Sequence, residues 1–340
     1  MRQLRKTPFA LTVLICSHNP QREYLTRVLE ALRQQTFDKS KWELLLIDNA
    51  SSHHLHEVYD LSWHSSARHL LVEKLGKTHA VLRGIKEAQS EILLIVDDDN
   101  VLAQDYLENV FTIFEENFFI GVIGGVVEGE FEMEPPKWSL PYLHYLAIVD
   151  KGDRPLHALT PDMNFYIPPG AGMGIRKTVA EYYAQQIKAD LVRQGLDPVG
   201  DELSRAGDTD LALCAFDLGF ARGYYPQLKL KHLIPKNRLE PEYMERLIEG
   251  SNYSVSLLSL IRGLTVPQLS HFRHRLVTNF KLWLRNKSAH PLQLKMERAE
   301  EQGRCRAHTS FLSALPATPE RPVRDHASKS LLPPKREETR

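Results

Sequence analysis

Residues 92–100 read Ile-Leu-Leu-Ile-Val-Asp-Asp-Asp-Asn, and this stretch restricts what the chain can become. Five consecutive apolar residues, three of them β-branched and the run bounded by turn formers, predict a strand buried on both faces. Three carboxylates come next, where that strand must emerge. If strand geometry continues, Asp97 and Asp99 face one way and Asp98 the other. Two carboxylates on one side repel unless a cation sits between them. A hard ion such as Mg²⁺ or Mn²⁺ takes oxygen ligands and is commonly shared with substrate phosphates. In open α/β sheets, ligands bind beyond the carboxyl ends of the strands. The stretch therefore points to a metal–diphosphate site. The plainer alternative is a polar loop in which Asp99 or Asn100 caps the next helix.

Two earlier runs repeat the pattern. Leu11 to Cys16 is apolar and ends in Ser17-His18-Asn19-Pro20; Glu43 to Ile47 is apolar and ends in Asp48-Asn49-Ala50-Ser51. Between them Leu25, Val28, Leu29 and Leu32 recur at helical spacing. Leu70 to Val72 reads as a short third strand, and a helix is expected around Ala80 to Gln89. This alternation predicts an α/β fold, a mostly parallel sheet with helices on both faces. Polar groups then gather at the strand ends: Ser17, Asn19, Asp48, Lys77 with Arg83, and Asp97 to Asp99. A carboxylate there can accept from a nucleobase N–H, and a lysine or arginine near a helix start can meet a phosphate. Taken singly, Asp48 is equally a turn residue and Lys77 a solvated one. No GxGxxG comes after the first strand, which argues against a nicotinamide or flavin domain.

Composition excludes other classes. Lysine plus arginine equals aspartate plus glutamate at 43 each, so nothing points to nucleic acid. Three distant cysteines, Cys16, Cys214 and Cys305, suit neither a disulfide framework nor a zinc ribbon and fit a reducing cytoplasm. No apolar run approaches the roughly 18 residues of a spanning helix.

The second half has further anchors. Phe119 to Val127 predicts another strand, and Glu132 to Tyr145 is rich in proline and aromatic rings suited to stacking or to simple packing. Ile167 to Lys177 contains Gly170, Gly172 and Gly174, where small residues let backbone approach a ligand and Arg176 meet a phosphate. Asp208 and Asp210 stand at the start of an apolar helix closed by Gly219, as caps or as reactive acids. His232 lies on a short strand, and Arg238 and Arg246 come later, on and beside a helix over 240–250. Three segments are expected: a catalytic domain over 8–264, a basic amphipathic helical extension over 265–298, and a disordered tail over 299–340. The basic face of the extension can pack on the domain or contact the inner face of a membrane.

Together LTVLICSHNP, LLLIDNASS and LLIVDDDN resemble the family 2 glycosyltransferases of the GT-A fold, over about residues 10 to 235. The resemblance implies a GT-A-type nucleotide-binding sheet flanked by helices on both faces, to which the C-terminal helical extension read above is added. It implies a nucleotide-diphosphate sugar donor, with UDP the expected nucleotide, and Mn²⁺ or Mg²⁺ as cofactor. It further implies Asp48 on the nucleobase, Asp97 on the ribose or a metal-bound water, Asp99 on the metal, and His232 on metal or diphosphate. Where that family carries Glu-Asp-x-Asp, Gly207 replaces the Glu and Asp208 matches the catalytic Asp, leaving Asp210 a rival base. Transfer to a glycan or glycolipid acceptor, with inversion, is the expected reaction. A nucleotidyltransferase and a non-catalytic nucleotide-sugar-binding module are the competing classes.

Overall fold

The computed structural model describes residues 7–163, 165–194, 206–264 and 291–314. The first half alternates as expected: β1 (Leu11–Ser17), α1 (Arg22–Arg33), β2 (Trp42–Asp48), α2 (Leu55–Val58), β3 (Ala67–Leu71), α3 (Lys77–Glu87) and β4 (Ile92–Val96). The continuous apolar runs exist because alternate residues serve two cores. Leu11, Val13, Ile15, Leu44, Leu46, Ile92 and Leu94 pack against Leu25, Val28 and Leu32 of α1. Leu14, Leu45, Ile47, Leu93 and Ile95 pack against Ala80, Val81 and Ile85 of α3. A strand buried on both faces has no solvated side on which to place a polar residue.

The chain continues through β5 (Asn100–Leu102), α4 (Tyr106–Glu116), β6 (Ile120–Phe131), a 3₁₀ turn (Leu140–Leu146), β7 (Leu156–Ala158) and β8 (Met173–Arg176). Then come α5 (Lys177–Ala189), α6 (Leu191–Gln194), α7 (Gly207–Asp217), β9 (Ala221–Ile234), a second 3₁₀ turn (Lys236–Leu239) and α8 (Pro241–Ile261). Among the described residues the strands form one sheet in the order β3-β2-β1-β4-β8-β6-β9-β5, with β7 beside β9. The strands β3, β2, β1 and β4 run parallel. Strand β8 runs antiparallel to both its neighbours. The sheet is thus parallel on one side and mixed on the other, because the excursion over 132–172 returns the chain from the opposite end.

Helix α8 runs past Gly250, where the sequence suggested an end. The last described helix, α9 (Pro291–Ala314), packs along it, with Met296 and Ala299 against Met244, Leu247 and Ile248. Residues 299–314, expected to lack structure, are helical, with Ala299 and Ala307 fully buried. Most of the expected basic amphipathic segment, 265–290, and the tail beyond 314 lie outside the described residues. Among the described residues no helix is long and apolar enough to cross a membrane.

The α8–α9 crossing depends on Gly303. A Cβ there would sit 2.3 Å from the Glu249 carbonyl oxygen and 2.9 Å from the Tyr253 nitrogen. Valine at 303 cannot be accommodated unless the helices part. Overpacking of this kind costs about 1–3 kcal/mol. Gly303→Val is expected to lower the stability read from urea unfolding by that amount, and an unchanged midpoint would show that α9 is held elsewhere.

Candidate active site

Strand register sets the site. Ser17 pairs with Asp48 across β1 and β2, and Ile15 pairs with Val96 across β1 and β4. The ends of three parallel strands therefore open side by side onto a cleft of ≈ 1290 Å³. Ser17, Asn49, Lys77, Asp97, Asp98, Asp99, Asp208, His232 and Arg238 line it. The expected alternation of the three acids fails, because β4 ends at Val96 and residues 97–99 form a turn. All three reach the cleft. Asp98 accepts a short hydrogen bond from Ser17 Oγ. Burial, and then the Asp99 charge beside it, push the Asp98 carboxyl up to about 7.

Asp99 and His232 form a buried pair. Strand β5, carried directly by the turn, pairs with β9 so that Asn100 lies opposite His232. Asp99 Oδ2 is 3.2 Å from His232 Nε2. His232 Nδ1 donates to the Leu146 carbonyl at 2.9 Å, which leaves Nε2 with a lone pair. One guanidinium nitrogen of Arg238 lies 3.0 Å from Nε2 and 3.1 Å from Asp99 Oδ2. Two acceptors thus converge on a place where a positive charge is already accepted. Among the described residues no three acidic, histidine or cysteine side chains are arranged to hold a metal unaided. The pair fits instead an ion that completes its shell with substrate oxygens and water, the usual habit of Mg²⁺ beside diphosphates.

Across the cleft, Lys77 Nζ joins Asp97 Oδ1 at 2.9 Å to Asp208 Oδ2 at 3.5 Å. Asp208 sits in the first turn of α7, 29% exposed at its side chain. Its carboxylate lies against the Gly170 backbone: a Cβ on Gly170 would stand 2.2 Å from Oδ2. The glycine-rich segment thus approaches this acid, a contact the sequence did not foretell.

Asp210, the other acid expected as a base, does not line the cleft. It is fully buried, bridged by Arg193 at 2.8 Å and by Arg262 at 2.7 Å. It ties α6, α7 and the end of α8 together. Asp210→Ala would leave Arg193 buried without its carboxylate and Arg262 with Asp217 alone, a change that costs about 3–5 kcal/mol. The expected result is a large drop in thermal stability, read by calorimetry. Unchanged stability with abolished transfer would return Asp210 to the chemistry.

Other expected site residues lie elsewhere. Arg176 is buried, and its guanidinium donates to the carbonyls of Ile120, Phe114 and Asn117, closing the end of α4; burial lowers its pKa. Arg83 pairs with Glu87 one turn along the exposed face of α3. Asn19, at φ 47°, accepts from Ser52. Asp48 accepts from the Ser51 and Leu55 N–H groups. Burial opposes its charge, yet these bonds prevail and its pKa is lowered. Gly172 has φ 69° and packs under the Tyr106 hydroxyl, which donates to its carbonyl. Its role is the turn into β8. Tyr145, from the aromatic stretch expected to stack or to pack, lines the cleft, and so do Ser251, Asn252 and Val255, which were not singled out. The signal for the last three was present: 251, 252 and 255 share one face of a helix.

A family model described as Glycosyl transferase family 2 matches residues 12–183. No curated protein matches the chain. Among solved structures, S. aureus TarS is similar over 91% of this chain and 49% of that one, at 15% identity and TM-score 0.49. The S. aureus TarS 1-349 structure is similar over 90% and 92%, at 15% identity and TM-score 0.48. The same fragment in complex with UDP gives 14% identity and TM-score 0.47 over the same shares, 90% and 92%. The chain spans about half the length of the longer TarS structure.

Proposed function

The chain belongs to glycosyl transferase family 2, and from that premise we propose that it moves a sugar from a nucleotide-diphosphate donor to an acceptor hydroxyl, in polysaccharide or glycolipid assembly. The observation that carries this reading is the shared cleft: the Asp99–His232 pair and the partly exposed Asp208 open onto one space. Four carboxyl groups face two full cations there, Lys77 and Arg238. A diphosphate would add negative charge to an already acidic cleft, so a further cation must accompany it. Asp99 and His232 are the residues that would hold Mn²⁺ or Mg²⁺, which when bound stabilises the charge on the leaving diphosphate.

The remaining chemistry falls to the chain. Lys77 and Arg238 stand where they can meet phosphate oxygens. Asp208 accepts the proton of the acceptor hydroxyl as the new C–O bond forms. The hydroxyl oxygen attacks the anomeric carbon, the bond to the diphosphate oxygen breaks, and attack from the side opposite the leaving group inverts the anomeric centre. Product analysis tests the class, with UDP-sugars tried first in the presence of Mn²⁺. Release of nucleoside diphosphate with a glycosylated product is expected. Release of pyrophosphate would mean nucleotidyl transfer, and tight metal-dependent binding with no turnover on any acceptor would mean a binding module.

A further inference from the structure

The cleft is chemically divided. Its volume, ≈ 1290 Å³, exceeds the ~300–1,000 Å³ that usually encloses one small ligand. All of its lining carboxyl, lysine and arginine groups belong to the strand-end side and to α7 and the turn after β9. The opposite wall, built from the 3₁₀ turn over 140–146, Met163, Ile167, Pro168 and one face of α8, has none among the described residues. It presents Tyr145, Ser251, Asn252, Val255, Ile167 and Pro168. The α8 part of this wall lies beyond the residues that match the family model.

We propose that this wall is the acceptor subsite and that it selects an uncharged saccharide. The inference rests on the glycosyltransferase reading and specifies its second substrate.

The His144 and Tyr145 rings lie 4.2 Å apart between centroids and form one aromatic surface. A sugar's C–H face suits such a surface, since the ring face is electron-rich and needs no charge on its partner. The polar groups suit hydroxyls. Asn252 spends both amide hydrogens, on the Tyr145 hydroxyl and the Ile248 carbonyl. Its Oδ1 takes one bond from Arg304, leaving a lone pair for a sugar O–H. Ser251 Oγ has no hydrogen-bond partner among the described residues and can both donate and accept. Glu300 and Arg304 stand behind this layer and fix it: Tyr145 donates to Glu300 at 3.0 Å. Among the described residues an anionic acceptor would find no cation lining this wall, and across from it four carboxyl groups against two cations, Lys77 and Arg238, an excess of negative charge that disfavours it.

The test offers UDP-glucose, UDP-galactose and UDP-N-acetylglucosamine with Mn²⁺, and a panel of neutral disaccharides beside matched uronides and polyol-phosphate oligomers. Nucleoside diphosphate release and product mass are read together. Expected is transfer to a neutral saccharide at a kcat/KM at least tenfold above any anionic acceptor. Ser251→Ala, which disturbs no bond, should raise the acceptor KM about fivefold with the donor KM unchanged, and Asn252→Ala should do so more strongly. Diphosphate release with transfer only to anionic acceptors would overturn the acceptor class alone, as would unaltered acceptor KM in both variants. No diphosphate release from any donor that binds would overturn the parent reading and this one with it.

Discussion

Asp208→Asn should reduce sugar transfer roughly 10²–10⁴-fold, the usual worth of a positioned base, and leave donor binding intact. The neutral amide keeps the shape of the side chain and its contact with Gly170 but cannot accept the hydroxyl proton. Donor affinity should hold, or rise slightly, for a specific reason. Lys77 is now shared between Asp97 and Asp208. With one carboxylate neutralised, the lysine is drawn less toward α7 and more toward the strand ends where the diphosphate would lie. The loss should therefore appear in kcat, with calorimetric donor affinity within about threefold of the parent protein. That split marks an interaction made only as the reaction proceeds. Near-normal turnover by the Asn variant would remove Asp208 as base. With Asp210 buried between two arginines, no second carboxylate in the first turn of α7 would stand ready to replace it.

The strand ends were legible in the sequence because an apolar run that terminates in acids leaves little freedom. Leu11–Ser17, Trp42–Asp48 and Ile92–Val96 fall within a residue or so of where periodicity put them. Three parallel strands then bring their ends together whatever the loops do. The backbone just past a strand end was less legible. Asp97 to Asp99 were expected to alternate, yet alternation is a property of extended backbone, and the chain turns as soon as Val96 is passed. Arginines misled for a related reason. Arg176 and Arg83 have the right chemistry for phosphate, but a guanidinium is equally suited to helix-end carbonyls or a neighbouring glutamate, and local partners claimed both. Asp208 and Asp210 were indistinguishable by type and spacing. Two arginines on other helices, Arg193 and Arg262, decide between them by enclosing one and not the other. The α8 side of the proposed acceptor wall was hidden because its residues are ordinary. Serine, asparagine and valine on a helix carry no motif, and only the fold shows that their face of α8 meets the cleft.

In the proposed reaction metal dependence would turn on Asp99, to which Arg238 already lies close. Arg238 already bridges Asp99 and His232 with a single nitrogen. A divalent ion held by Asp99 and His232 would compete with that guanidinium for the same two acceptors and would supply positive charge to the leaving diphosphate. Asp99→Asn weakens the site for both, since an amide oxygen offers no net charge to either cation. Loss of Lewis-acid stabilisation at the leaving group costs several kcal/mol, or about 10²–10⁴-fold in rate. The variant should lose Mn²⁺ binding by calorimetry and turn over equally slowly with and without added metal. The parent protein should fall to a similar rate in excess chelator. Undiminished transfer by the chelated parent protein would contradict this and assign the leaving group's neutralisation to Arg238. In that case Arg238→Ala, and not metal removal, should carry the loss.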